Sequence, residues 1–375
     1  MSRRKVVTIL GTRPEVIKMA PVVRELAGRP SAFDQTIVAT AQHRQMLDQV
    51  LEVFKIQPDI DLGLMQQNQD LGEFASRSLL ALSNLFEELK PDAILVQGDT
   101  TTVATAALAA FYKGVRIGHV EAGLRSFDRR QPFPEEINRR LAGCLADMHF
   151  APTARARQNL LREGVRDESI FVTGNTIVDA LKSIRLEESL KTDYDDPGLV
   201  WLKRNDNRLL LITAHRRENH GQPLHSICSA LKTLAARFED IEIVYPVHLN
   251  PKVASVVREE LGGIDRIHLV EPVSYRDLLR LMERCYLILT DSGGIQEEAP
   301  SFRKPVLVLR EVTERPELIE ARAGRLVGTD ANTIIDAASR LLAEPREYAE
   351  MTTSENPFGD GRAAQRIADV LERII

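Results

Sequence analysis

Short β-branched runs alternate with longer amphipathic stretches along the chain. Residues 6–10, 35–40, 93–97, 115–120, 148–151 and 170–173 read as strands. Between them, apolar residues recur at helical spacing over 15–27, 45–54, 101–112 and 135–146. The pattern weakens over 190–207, where Asp193, Asp195, Asp196, Pro197 and Gly198 cluster, which suggests a linker or a domain-opening loop. It then restarts, with strands at 208–213, 241–245, 267–270, 286–290 and 305–309 and helices at 224–238, 251–261, 275–283, 330–342 and 363–374. Alternation of this kind predicts parallel sheets covered by helices on both faces. The chain therefore reads as two doubly wound α/β units of similar size, whose ligands bind beyond the carboxyl ends of strands.

Composition narrows the class. A chain of 375 residues exceeds what a single core usually supports, so two domains are expected. A net charge of −5, with acids and bases interspersed, argues against a nucleic-acid partner or a membrane-surface patch. The apolar run after Arg3, Arg4 and Lys5 is too short for a signal sequence, and no stretch approaches a membrane span. Cys144, Cys228 and Cys285 lie far apart without a CxxC pair and suit a reducing, cytoplasmic setting.

The polar clusters fall just after predicted strands. Asp291-Ser292-Gly293-Gly294 opens a helical pattern, and its small residues leave backbone N–H groups bare for an anion. Glu298 lies one turn further on, within reach of a sugar hydroxyl, so the segment fits a nucleotide. An ordinary Ser-Gly-Gly helix cap is the structural alternative. Walker A and GxGxxG patterns are absent. Gly11 to Lys18 is another strand-to-helix turn, with Arg13 able to fork onto a diphosphate and Lys18 one turn later. Asp99 follows a strand and is either a helix cap or a catalytic group. Glu121 follows an apolar strand among small residues, where a carboxylate must be paired or used. Glu135 and Glu136 start a helix and suit its dipole, with Arg139 four residues after Glu135 on the same face. His215 is followed by Arg216 and Arg217, a set that suits phosphate, and His248 follows another strand. No metal-ligand spacing and no acyl-transfer nucleophile is evident, and no cofactor is expected.

The segments GTRPEVIKMAPVV, AQHRQMLDQVL, GDTTTVATAALAAF, GHVEAGLRS, PFPEEINRR, HRREN, YPVHLNP, LTDSGGIQEEAP and TERPE closely resemble the non-hydrolysing UDP-N-acetylglucosamine 2-epimerases, in order and spacing from about residue 5 to about residue 365. The resemblance implies a GT-B fold, with two Rossmann-like domains facing a cleft. Residues 1–174 would form the sugar side and 175–356 the UDP side, and 357–375 a helix returning to the first domain. It also implies a homodimer and reversible conversion of UDP-GlcNAc to UDP-ManNAc. Position by position, it puts Arg13, His215, Ser292, Gly293 and Gly294 at the diphosphate and Glu298 at the ribose. Lys18, Asp99, Glu121, Glu135, Arg139 and Arg315 would line the sugar site. A second, activating UDP-GlcNAc would meet Gln42, Gln45, Glu136, Arg216 and His248. Two positions depart from the family. Asn68 stands where some activated members have Arg, and Gln97 replaces a His common before Gly-Asp-Thr.

The reaction implied expels UDP first, because the C2 proton of the sugar is not acidic until C1 gains positive character. Loss of that proton gives 2-acetamidoglucal, and UDP adds back after a proton arrives from the opposite face. Asp99, Glu121 and Glu135 are the candidate acid and base groups, with Asp99 the first choice for abstraction. A GT-B glycosyltransferase, a hydrolysing 2-epimerase and a non-catalytic UDP-sugar sensor are the competing readings. The dense acidic set Asp99, Glu121 and Glu135 favours proton transfer at the sugar over glycosyl transfer. No sequence remains for the kinase domain that hydrolysing 2-epimerases often carry, and a sensor is not expected to keep every candidate catalytic group.

Overall fold

The structure, a computed structural model, describes residues 3–40, 44–66, 69–186, 194–353 and 355–375. It divides into two compact units, Met1–Ile184 with Phe358–Ile375, and Arg185–Pro357.

The first unit is built on a seven-stranded sheet. Its strands are β1 (Arg4–Leu10), β2 (Phe33–Ala39), β3 (Ile60–Asp61), β4 (Ala93–Gln97), β5 (Arg116–Val120), β6 (Met148–Ala151) and β7 (Ile170–Val172). Their order is β3-β2-β1-β4-β5-β6-β7, and every pairing is parallel. The apolar runs are unbroken rather than alternating because both faces are covered, as in β4, where all five residues are buried. The Ala-rich helix Thr101–Tyr112 packs between the helices Leu71–Leu89 and Glu135–Leu145. The C-terminal helix Ala363–Ile374 lies against the helix Arg13–Ala27. Where the chain returns to it, Asn175 N–H donates to the Phe358 carbonyl at 2.7 Å. Gly174 and Gly359 meet there at φ +91° and +144°, and a Cβ on Gly359 would stand 3.3 Å from the Gly174 Cα.

The second unit holds six parallel strands, β8 (Arg208–Thr213), β9 (Ile241–Pro246), β10 (Ile267–Val270), β11 (Leu287–Thr290), β12 (Val306–Val308) and β13 (Gly324–Leu326). Their order is β10-β9-β8-β11-β12-β13. Both sheets thus reverse winding direction once, between β1 and β4 and between β8 and β11. In doubly wound sheets that reversal opens a crevice at the carboxyl ends of the two strands concerned.

Eleven strands match the hydrophobic runs, and the expected pair of Rossmann-like units is present. β3 and β13 escape the pattern because they are edge strands of two and three residues, too short for periodicity. The 19-residue helix Leu71–Leu89 is also unassigned by the pattern, although Asp70 and Glu73 form a reciprocal capping box at its start. Of the two readings of 190–207, the domain-opening one fits the described residues. Within the described part of that stretch, Pro197–Arg204 forms a 3-10 helix with Leu199 and Leu202 buried. Asp277 accepts the backbone N–H groups of Asp195 and Asp196, so this stretch is packed into the second unit.

Candidate active site

In the first unit the crevice between β1 and β4 gathers charge. Lys18 comes from the helix that follows β1 and is 6% exposed. It is ion-paired with Oε2 of Glu121, the residue after β5. Glu121 sits at φ +66°, a conformation that L residues with a Cβ seldom adopt and that clusters at functional sites. Gln97, the last residue of β4, is register partner of Val120. Its Nε2 donates to the same Glu121 Oε2 at 2.8 Å. The second carboxylate, Asp99, pairs with Arg139 from the helix Glu135–Leu145. Asp99 is not a helix cap. The cap is Thr100, whose hydroxyl accepts the Val103 N–H. Each of these two carboxylates is therefore matched by a buried cation, the condition for keeping charge out of water.

Three further groups support this cluster. Glu136 is fully buried, and its Oε2 accepts the Ser126 N–H at 3.0 Å and Nη1 of Arg139 at 3.3 Å. His119 is fully buried on β5 and donates from Nε2 to the Gly98 carbonyl at 2.7 Å. Burial pushes its pKa down to about 3, so it is a neutral strut under the Asp99 turn. Glu15, in the first turn of the Arg13–Ala27 helix, accepts the Thr100 hydroxyl at 3.1 Å and so ties the turn after β1 to the turn after β4. Burial raises its pKa to about 7, despite hydrogen bonds from Thr12 and Thr100. Glu135 opens its helix, half-buried. Arg13 is the first residue of the helix that carries Lys18.

In the second unit, the crevice between β8 and β11 holds the other set. His215 follows β8, and Asp291 follows β11. Asp291 is fully buried. Its Oδ2 accepts the backbone N–H groups of His215 and Arg216, each at 2.8 Å, and the Asn219 amide at 2.9 Å. Burial lowers the His215 pKa; Asp291 opposes this, whereas His248, Arg216 and His220 add to it. The His248 ring, exposed after β9, stacks on His215 at 5.1 Å between centroids and 8° between planes. Ser292 stands at the N-cap position of the short helix Gly293–Glu298, with no cap hydrogen bond from its side chain. Arg315 packs beneath it so closely that a Cβ on Gly293 would stand 2.7 Å from the guanidinium carbon. Glu297 accepts Nε of Arg315 at 2.9 Å. Burial works against ionisation of Glu314, but Arg315, Arg310 and Arg216 outweigh it and hold that carboxyl down at about 2. Glu298 is 5% exposed and accepts the Tyr275 hydroxyl at 2.9 Å.

The first unit thus brings Lys18, Asp99, Glu121 and Arg139 together, and the second brings His215, Ser292, Gly293 and Arg315 to one crevice. Of the second-site candidates, Gln42 and the divergent Asn68 lie outside the described residues, and only the backbone of Gln45 is described, in the helix Arg44–Val53. Arg216 adjoins His215, and His248 stacks on it. Glu15, His119, Tyr275 and the role of Asp291 are not evident from the chain alone. Glu15 carried one signal, an acid three residues after Thr12 at a helix start, which reads as capping. Among the described residues no group of three or more His, Cys, Asp or Glu is placed to hold a metal ion.

Two Rossmann-like units, one with paired carboxylates at its switch point and one with a small-residue helix start beside histidine and arginine, define a GT-B-like protein of the kind that handles nucleotide sugars. Comparison with known proteins sharpens this. The chain belongs to the UDP-N-acetylglucosamine 2-epimerase family, whose model matches residues 24–372. It is 49% identical to the UDP-N-acetylglucosamine 2-epimerase of Bacillus subtilis over 371 residues, which is 99% of this chain and 96% of that one. It is 50% identical to the Escherichia coli K12 enzyme of the same name over 378 residues, 98% of each chain. The crystal structure of UDP-GlcNAc 2-epimerase from Neisseria meningitidis bound to UDP-GlcNAc superposes with a TM-score of 0.93 at 44% identity, covering 98% of this chain and all of that one.

Proposed function

We propose that this protein interconverts UDP-GlcNAc and UDP-ManNAc by eliminating UDP and adding it back. The observation that carries the proposal is the pair of carboxylates, Asp99 and Glu121, each matched to a buried cation at the carboxyl ends of β4 and β5. As the C1–O bond breaks, its electron pair leaves with the diphosphate. The C2–H pair then forms the C1=C2 bond of 2-acetamidoglucal, and the proton passes to a carboxylate. In the return step a proton reaches C2 from the opposite face and a diphosphate oxygen re-forms the bond to C1. Arg13, His215 and the helix start at Ser292 to Gly294 hold the leaving diphosphate, at about 3 kcal/mol of transition-state stabilisation per donor. Glu298 takes the ribose hydroxyls, and Arg315 supplies positive charge beneath the helix start. Lys18 and Arg139 orient the Glu121 and Asp99 carboxylates, one of which takes the C2 proton while a protonated group on the other face returns one.

Chemical quench during turnover tests the scheme. Equal amounts of UDP and 2-acetamidoglucal are expected, and their absence throughout turnover would exclude elimination. Asp99 is assigned the first abstraction and Glu121 or Glu135 the opposite face; full C2-proton exchange in Asp99→Asn removes that assignment.

The same reading includes a homodimer, a cytoplasmic setting and activation by a second UDP-GlcNAc at Gln42, Gln45, Glu136, Arg216 and His248. Leu80, Phe111, Tyr112 and Leu141 are exposed on three neighbouring helices of the first unit and supply apolar surface for a second copy. Sedimentation that returns a monomer at micromolar protein excludes the dimer, and a strictly hyperbolic rate curve excludes the activating site. Secretion of the native protein into an oxidising compartment would exclude the cytoplasmic setting, for which the free thiols of Cys144, Cys228 and Cys285 are the support. The product serves surface polysaccharide synthesis in this reading; a deletion strain with unchanged surface ManNAc would refute it.

A further inference from the structure

The Asp291 carboxylate is divided between two tasks. Oδ2 is saturated by three donors and builds the turn that carries His215. Oδ1 is buried and makes no hydrogen bond among the described residues, yet it lies 3.6 Å from His215 Nδ1. A buried carboxylate oxygen left without a donor costs free energy, and the nearby ring nitrogen is a group that can relieve it. Arg216, His220 and the stacked His248, which also act on the His215 ring, are basic.

We propose that Asp291 is a positioning residue for His215, whose Oδ1 takes the Nδ1–H, fixes that tautomer and stabilises the imidazolium formed when Nε2 meets the departing diphosphate. The proposal rests on the reading of His215 as a diphosphate contact. A neutral His215 with its proton on Nδ1 offers Nε2 as a lone pair. The arriving diphosphate and Asp291 then flank the ring with negative charge, and Nε2 takes up a proton from solvent and donates it in a hydrogen bond to a phosphate oxygen. As the C1–O bond breaks, that bond strengthens while Asp291 stays ionised. The same division of labour operates in hydrolytic triads, where the carboxylate orients the imidazole and is not itself protonated.

The test is long-range proton–nitrogen NMR of the full-length protein labelled with 15N-histidine, with His215 assigned through His215→Gln. In the free enzyme at neutral pH, His215 is expected as the Nδ1–H tautomer, and saturating UDP is expected to protonate both nitrogens. Asp291→Asn keeps an oxygen for the turn but sets an amide against Nδ1. It should move the proton to Nε2 and lower kcat by up to about 10,000-fold, the loss a wrong tautomer causes in a triad, with KM nearly unchanged. Asn219→Ser loosens the same turn and should leave the tautomer alone, so a merely structural role for Asp291 would make the two variants behave alike. A free enzyme with Nε2–H overturns the proposal even if Asp291→Asn fails to fold. His215 signals that ignore UDP while UDP binds would overturn the diphosphate reading instead, and with it the catalytic consequence of the pair.

Discussion

Replacing Gln97 with leucine probes the geometry of Glu121 directly. Gln97 is 3% exposed and fills a fixed place at the end of β4, so leucine preserves most of its volume. What is lost is one hydrogen bond, 2.8 Å long, to a carboxylate that also meets Lys18. A hydrogen bond to a charged group contributes about 1.5–3 kcal/mol, and the remaining oxygen loses a donor where water has little access. If that bond holds Glu121 on the face of C2 only as charge develops, the loss appears in kcat, at about 10- to 100-fold, with KM nearly constant. The assay is steady-state conversion of UDP-GlcNAc, followed together with deuterium entry at C2. Gln97→His, a donor that titrates, should restore much of kcat but add a pH dependence absent from the parent. Unchanged kcat in a folded Gln97→Leu protein would refute the link between this amide and catalysis. A large rise in KM alone would show that Gln97 serves ground-state binding.

Two other predictions follow from single contacts. Because the Glu15 pKa is raised from 4.5 to about 7, the folded state binds more protons than the unfolded chain between those values, so this residue's stability contribution falls as pH rises through that window. Glu15→Gln should therefore gain about 3 kcal/mol on the parent at pH 8 and almost nothing at pH 4.5, in urea melts at both pH values; a pH-independent difference would contradict the ionisation assigned to Glu15. Gly293→Ala places a methyl 2.7 Å from the Arg315 guanidinium carbon and should displace that side chain. Calorimetry should then show UDP binding at least about tenfold weaker, a change of about 1.4 kcal/mol; parental affinity would show that Arg315 does not support the nucleotide.

Much of the fold was legible because parallel strands buried on both faces write themselves as apolar runs. The elements that were not legible had short or competing signals. β3 and β13 are stubs at sheet edges, and the 197–204 segment hides two buried leucines among Asp, Pro and Gly. At the site, chain position alone put Asp99, Glu121, His215 and Ser292 after strands. Their partners were out of reach of the sequence, because the contacts join segments that are distant in the chain and meet only through the sheet order. Glu15 meets Thr100 across 85 residues and Asp291 meets His215 across 76. The capping alternative for Asp99 was equally sound on sequence grounds and fell only to the observed Thr100 cap. Glu121 reads from the chain as a carboxylate needing a partner, and Lys18 and Gln97 are partners it has.

The central claim is proton exchange at C2 during reversible loss of UDP. Purified protein incubated with UDP-GlcNAc in D2O, with EDTA and no added cofactor, tests it by following the anomeric and H2 proton signals. The account predicts UDP-ManNAc carrying deuterium at C2, with deuterium also appearing in recovered UDP-GlcNAc. UDP-ManNAc that retains its C2 proton would contradict it, and free ManNAc with UDP would identify a hydrolysing enzyme instead.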